Sequence, residues 1–331
     1  MNGELEMNRK IIIDTDPGID DAYAILAALK NPELDIMGIT CVCGNKGINN
    51  VVANSLKLTQ FLNKDILVYQ GATTNLKSIR NGIVDTLSAD VVHGSDGLGN
   101  VKLAYDQHNL SAISAVDFII ETVKKYPDQV EILAIGPLTN IALAIEKDAE
   151  TMKHLKAIYS MGGGIDRGNI TPFAEFNYYF DELATEIVYR MLQTDVNIYM
   201  VGLDATHSTR VTHNDLAFMK YEGGKLGKLL YDITQLYSDM YYQKNGYLGA
   251  VLHDVVAYLY MIDEQIATST KRNVYIDVLT DKTHRGQTVI DNTKKAKTTV
   301  VMNCDRILTN QMMIKALFPD KLTKYIEVTA K

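Results

Sequence analysis

Long apolar runs are missing from this sequence. Nothing in its 331 residues approaches the roughly 18 consecutive apolar positions that a membrane-spanning helix needs, which excludes an integral membrane protein of that kind. Cysteine is scarce as well. Cys41, Cys43 and Cys304 cannot build a disulfide framework, and so few thiols fit a reducing, cytoplasmic setting. Positive charge is in the minority, with 33 Lys and Arg against 40 Asp and Glu, a formal charge of −7. Without a dense basic block, neither polymeric nucleic acid nor a membrane surface is an expected partner. Tryptophan is absent altogether, and so are Pro/Gly/Ser linkers, low-complexity tracts and internal repeats. The opening MNGELEMNRK carries two acidic residues ahead of a strand-like IIID and does not read as a signal peptide. Residues 1–9 are expected to form a loose tail, with Met7 an alternative start. What remains is an ordinary globular balance, 47% hydrophobic and 22% charged.

The positive signal is alternation. Strand-like apolar runs fall at 10–14, 35–42, 65–69, 130–135, 157–161 and 196–201, and several are continuously hydrophobic, as strands covered on both faces tend to be. Helical patterns lie at 20–30, 47–62, 113–126, 137–147, 181–193 and 228–243. In the first of these, Ala22, Ile25, Leu26 and Leu29 form an i, i+3, i+4, i+7 stripe that stops before Asn31-Pro32. The order predicts an α/β fold, a mainly parallel sheet with helices on both faces. The segments NVYIDVLT, GQTVID and KTTVVMN predict short antiparallel strands added at an edge near the C-terminus. Length alone allows two domains of roughly 150 residues, but without a linker residues 1–331 are read as one. In such sheets ligands bind outside the carboxyl ends of the strands.

The first strand-to-helix turn is the most informative place in the chain. Asp14-Thr15-Asp16-Pro17-Gly18-Ile19-Asp20-Asp21 puts four carboxylates within eight residues. A helix N-terminus offsets only about 0.3–1 kcal/mol per exposed charge, too little for four behind a buried strand. A hard divalent cation, Ca²⁺ or Mg²⁺, is the natural counter-charge for such oxygen donors. Pro17 and Gly18 fold the loop back so that both sides of the turn converge.

At this point the residues resemble a known family. DTDPGIDDA is similar to the amino-terminal signature of the inosine–uridine-preferring nucleoside hydrolases. Further segments match in order: Cys43-Gly44-Asn45, His93-Gly94 with Gly97-Leu98, Gly136-Pro137-Leu138-Thr139-Asn140, the glycine run 162–164, the run 168–177 (GNITPFAEFN) and His253-Asp254. Together they span roughly residues 10–330. The resemblance implies a Rossmann-like nucleoside hydrolase fold in a single domain. It also implies hydrolysis of the N-glycosidic bond of uridine, inosine or cytidine to ribose and free base. Other implied properties are a cytoplasmic location, a role in nucleoside salvage and assembly as a homodimer or homotetramer.

Residue by residue, the resemblance implies a Ca²⁺ held by Asp16, Asp21, Asp254 and the Ile135 backbone carbonyl, with Asp14 supporting from behind. Asp20 is expected to bind the ribose 2′- and 3′-hydroxyls, and Asn45, Asn169, Glu175 and Asn177 to hold the sugar. Asp16 is expected to take the proton of the attacking water. His253, beside Asp254, is expected to protonate the leaving base, and His93, Tyr237 and Tyr241 to line the base pocket. Tyr237 and Tyr241 stand at i and i+4 on one helix face. His207 and His213 receive no role, Cys41 and Cys43 are expected to be buried, and Lys294, Lys295 and Lys297 to form a solvated hairpin face. The purine-specific branch of the family stacks its base between tryptophans, so their absence points to the inosine–uridine or pyrimidine side. Val255 is a departure, since many relatives follow the His-Asp pair with proline. Two competing readings are a phosphatase of the haloacid dehalogenase type, from the DxD of Asp14-Thr15-Asp16, and a nucleoside-binding protein without turnover. The first leaves Asp20, Asp21 and the His-Asp pair unexplained.

Overall fold

The computed structural model describes residues 8–82 and 90–329. The strands are β1 (Arg9–Thr15), β2 (Leu34–Cys41), β3 (Val68–Gln70), β4 (Val130–Ala134), β5 (Ala157–Ser160), β6 (Asn197–Met200), β7 (Val211–Thr212), β8 (Gly249–Ala250), β9 (Ala267–Val278), β10 (Thr288–Asp291) and β11 (Thr298–Cys304). Nine of them form one sheet in the order β10-β9-β11-β6-β5-β4-β1-β2-β3, and β7 pairs with β8 apart from it. Every pairing from β3 across to β11 is parallel. Within this sheet β9 runs antiparallel to both its neighbours, β11 and β10, and the separate pair β7–β8 is antiparallel as well.

The alternation built into KIIID explains the layering. Ile11 and Ile13 belong to one buried cluster and Ile12 to the other, because successive strand side chains face opposite ways. All three are fully buried, and each such side chain contributes about 1.5–3 kcal/mol. The helix Ile19–Lys30 packs on the first face against the helix His253–Ile262. It ends at Asn31, whose backbone is extended as the residue before a proline must be. No described helix is long and apolar enough to cross a membrane.

Three expectations need amendment. Residues 1–7 lie outside the described residues, but Arg9, expected in the tail, begins β1 and pairs with the buried Glu131. The strand expected at 65–69 is only Val68–Gln70. KTTVVMN, expected as an antiparallel strand at an edge, is β11, antiparallel to β9 as expected but inside the sheet, with its other side parallel to β6. The chain reverses into β9 and reverses back into β10, so β10 and β11, each antiparallel to β9, both run in the common direction. Hydrophobic pattern carries no information about direction.

The order β3-β2-β1-β4-β5-β6 is that of a doubly wound sheet. Its switch point lies between β1 and β4, where successive crossovers leave in opposite directions and a crevice opens at the carboxyl ends. Asp14, Thr15 and Ile135 all stand at that crevice.

Candidate active site

Four carboxylates of the first turn and one from the far end of the chain meet in the crevice. Asp14, Asp16, Asp20, Asp21 and Asp254 are all buried. Carboxylate oxygens of Asp20, Asp21 and Asp254 lie within 4.8 Å of one another. The loop holds itself together: Thr15 Oγ1 donates to Asp21 Oδ1 at 2.5 Å, and the Gly18 amide to Asp21 Oδ2 at 2.9 Å. Asp14 sits behind, accepting from Thr40 Oγ1 at 2.5 Å and Asn140 Nδ2 at 2.8 Å. Asp16 Oδ2 accepts from the Asn45 amide at 2.6 Å.

Burial pushes every one of these carboxyls upward, Asp14 to about 7 and Asp20 to about 8. For Asp16 and Asp254 burial comes first and the charge of the neighbouring aspartates adds to it. Two oxygens, Asp14 Oδ2 and Asp16 Oδ1, are buried with no hydrogen-bond partner among the described residues. Bare carboxylate oxygens, mutual repulsion and an all-oxygen donor set are what a hard cation would satisfy. The residues present fit one.

Two glycines make room for Asp16. A Cβ on Gly44 would collide with Asp16 Oδ2, and one on Gly136 would stand 2.8 Å from Oδ1. Gly44→Ala should therefore displace the Asp16 carboxylate and cut kcat about 10²-fold, the usual effect of a misplacement near 1 Å. Steady-state kinetics beside circular dichroism would check it; unchanged turnover would show that the loop adapts.

From the carboxylates a cavity of about 460 Å³ opens outward, within the range of small-molecule sites. Its lining includes Asp20, Asn45, His93, Ile135, Asn169, Glu175, Asn177, Tyr237, Tyr241, His253 and Asp254. The structure thus gathers the sequence-predicted set around one space, with Asp14, Asp16 and Asp21 just behind. A larger groove, of about 720 Å³, lies beside the helix His213–Glu222. Its buried carboxylate, Asp215, is already satisfied by Thr212 and Tyr325, and no comparable set of polar groups converges there among the described residues.

Several predicted residues have structural partners as well. Glu175 caps the helix Phe176–Phe180, accepting from the Gly163, Asn177 and Tyr178 amides at 2.8–3.1 Å; burial raises it to about 7. Asn177 Nδ2 donates to the Met161 carbonyl at 3.1 Å and to the Ile135 carbonyl at 3.4 Å. Asn169 lies exposed at the rim. His93 Nδ1 accepts from the Ile19 amide at 3.1 Å, which pins the ring to the first turn of Ile19–Lys30. Burial, with the Lys46 charge, lowers its pKa to about 3.

The opposite wall is aromatic. Tyr237 packs against His93 and Tyr241, with ring centroids 5.4 and 5.1 Å apart. His253 is the first residue of its helix, with Val255 buried in the same turn. Its Nε2 meets the Tyr241 hydroxyl at 3.0 Å and its Nδ1 the Thr206 hydroxyl at 2.7 Å. Burial first, then the nearby His207 and His93, lowers its pKa to about 3.

Sequence reasoning missed His207, Phe176, Met240 and Lys244, all of which line the cavity. The signal for His207 was its place beyond the carboxyl end of β6. For Met240 and Lys244 it was their spacing of 3 and 7 from Tyr237, on the same helix face. His213 lies outside the cavity. Cys41 and Cys43 are buried, as expected, and so is Cys304; Lys294, on the solvated hairpin, pairs with Asp291.

Comparison with known proteins agrees with this geometry. Residues 11–310 match the family model described as inosine-uridine preferring nucleoside hydrolase. Uridine nucleosidase 1 of Arabidopsis thaliana is 38% identical over 279 residues, covering 83% of this chain and 81% of its own. The pyrimidine-specific ribonucleoside hydrolase RihB of Escherichia coli is 34% identical over 283 residues, 86% of this chain and 87% of its own. Among solved structures, a plant nucleoside hydrolase superposes with a TM-score of 0.86 at 32% identity, over 93% of this chain and 98% of its own. A purine-preferring ribonucleoside hydrolase from Gardnerella vaginalis gives the same TM-score and the same coverage at 29% identity.

Proposed function

We propose, for a chain that belongs to the inosine–uridine preferring nucleoside hydrolase family and hydrolyses ribonucleosides, a division of labour across the cavity: sugar and water at the carboxylates, base at the aromatic wall. The observation that carries it is the convergence of the buried aspartates on one side and the His253–Tyr241 hydrogen bond on the other. Cleaving a ribosyl–base bond builds positive charge on the sugar in an oxocarbenium-like transition state. The fixed negative field of the aspartates stabilises that charge where it develops. Asp16 takes the proton of the attacking water through its unpartnered oxygen. Asp20 accepts the ribose 2′- and 3′-hydroxyls, and Asn45, Asn169, Glu175 and Asn177 supply further fixed partners for the sugar. A Ca²⁺ site formed by Asp16, Asp21, Asp254 and the Ile135 carbonyl, with Asp14 behind, would supply a lowered pKa for water and a grip on the diol. The close approach of Asp20 to Asp21 and Asp254 supports reading sugar and cation as neighbours.

At the other end His253 serves the departing base as acid, through the Tyr241 hydroxyl that touches its Nε2. His93 and Tyr237 form the adjoining wall. We read uridine, inosine and cytidine as the substrates; the absence of tryptophan, the family's inosine–uridine preference and the uridine and pyrimidine names of the two sequence relatives support that choice. We also read the chain as one cytoplasmic domain acting in nucleoside salvage as a homodimer or homotetramer, which light scattering would test.

The deciding experiment measures free ribose from uridine, cytidine, inosine, adenosine and guanosine, beside a phosphatase assay with Mg²⁺. Phosphate release without ribose release would replace this reading with the phosphatase. His253→Ala separates the two ends of the cavity. It should slow hydrolysis of uridine about 10²–10⁴-fold while largely sparing p-nitrophenyl riboside, whose leaving group needs no proton. Equal losses on both would remove His253 from leaving-group protonation.

A further inference from the structure

We infer that Asp204 is a positioning residue for the sugar: its carboxylate fixes the loop 165–174, which carries Asn169 and Ile170 at the cavity. The inference rests on the reading of Asn169 as a ribose partner. The loop's own bonds make it a closed unit. The Asn169 and Ile170 amides both donate to the Ala174 carbonyl, at 3.0 and 3.2 Å. Thr171 Oγ1 accepts from the Phe173 and Ala174 amides at 3.1 and 2.9 Å. Gly168 packs so closely that a Cβ there would stand 2.2 Å from the Thr171 carbonyl oxygen. A loop tied this tightly moves as one piece, so its place at the cavity is set where it joins the rest of the fold.

At its far end the loop runs into the Glu175 cap, and Ala174 bridges to Gln287. At its near end the anchor is the short helix Leu203–Thr206, beyond the carboxyl end of β6. The Leu203 amide donates to the Gly163 carbonyl at 2.9 Å, just before the loop begins. Asp204, with its side chain only 5% exposed, then takes two consecutive loop amides. Its Oδ2 accepts from Ile165 at 2.6 Å and its Oδ1 from Asp166 at 3.1 Å. Hydrogen bonds to an ionised carboxylate are roughly twice as strong as neutral ones, so this pair is the firm joint. Asn169 has no such hold of its own. It is exposed, and among the described residues its side chain makes no hydrogen bond, so its position is the loop's position. Ile170 beside it lines the cavity half-exposed, an apolar side chain that a bound nucleoside would cover.

The test uses the full-length protein, the variants D204A and D204N, and two substrates that share ribose, uridine and p-nitrophenyl riboside. Without the carboxylate, fewer molecules hold the loop in place, and apparent affinity falls by that fraction. D204A should therefore raise KM about 10–30-fold on both substrates and leave kcat within about threefold. D204N keeps one acceptor oxygen and loses the charge, so its KM should lie between, about 3–10-fold above wild type. Hydrogen exchange in both variants should quicken at the Ile165 and Asp166 amides, and not at those of Asn169 and Ile170, which bond within the loop. A merely destabilised fold would instead lower kcat at constant KM, and that result would overturn the inference. So would an unchanged D204A, or a loss confined to uridine, which would trace to His253. If D204A does not fold, D204N, which keeps the shape of the side chain, decides by the same KM and exchange measurements. N169A measured in parallel keeps the two readings apart. A wild-type KM in N169A would remove Asn169 from the sugar, while exchange at Ile165 and Asp166 still answers for Asp204.

Discussion

Asp16→Asn is expected to leave a folded protein that binds nucleoside and turns it over at least about 10³–10⁴-fold more slowly. The loss should be similar on uridine and on p-nitrophenyl riboside, because the water must be activated whatever leaves. Asparagine keeps an oxygen that can accept from the Asn45 amide, as Asp16 Oδ2 does at 2.6 Å, but it cannot take a proton. The substitution also removes one of the crowded charges that raise one another's pKa. With divalent cations removed, the variant should therefore melt several degrees above wild type, a gain in stability at the expense of function. Turnover near wild type on p-nitrophenyl riboside would eliminate Asp16 as base. A variant less stable than wild type in chelator would show that the charges are not in conflict.

Removing divalent cations from the wild type should abolish hydrolysis and impose a distinctive pH dependence on stability. Burial raises Asp14 to about 7, Glu175 to about 7 and Asp20 to about 8, all above the ordinary carboxylate range near 4. Between those limits the folded state holds protons that the unfolded state has already released. The stabilisation is therefore complete below about pH 4 and is lost as pH rises through about 7–8. A tenfold difference in proton affinity between folded and unfolded chain corresponds to about 1.4 kcal/mol, so the ion-free protein should melt markedly lower at pH 8.5 than at pH 5. Millimolar Ca²⁺ should reverse most of that difference, because a cation binds the deprotonated carboxylates and so favours the folded form at high pH. Melting curves at both pH values, with chelator and with Ca²⁺, decide the matter. Equal melting temperatures in chelator, or no response to Ca²⁺, would mean that the aspartates are not a cation site.

The local parts of this site were readable in the sequence and the assembled parts were not. Asp14 to Asp21 announce themselves because a strand, a turn and a helix start fall within eight residues. The alternation of apolar runs with helical stripes likewise carried the layer order, because period 2 and period 3.6 are physical signatures. The direction of β11 carried no such signature, since it depends on where β9 reverses. Thr206 and His207 were hidden for a related reason. Their meaning lies in contacts with His253, 47 and 46 positions away, and nothing in a turn-like stretch predicts which ring it will face. Glu175 shows a third limit: its side chain serves both helix and cavity, and residue type alone does not divide those duties.

Asp254 and His253 enter the chain more than two hundred residues after Asp21. The pocket therefore has no local precursor. While the polypeptide is being synthesised, the first aspartates wait roughly 10–50 s at about 5–20 residues per second before their last partner leaves the ribosome. During that interval the helix Ile19–Lys30 lacks the helix His253–Ile262 that packs against it, and the first aspartates lack Asp254, whose carboxylate completes their cluster. The carboxylate cluster of Asp20, Asp21 and Asp254 is therefore complete only once about three quarters of the chain has been made.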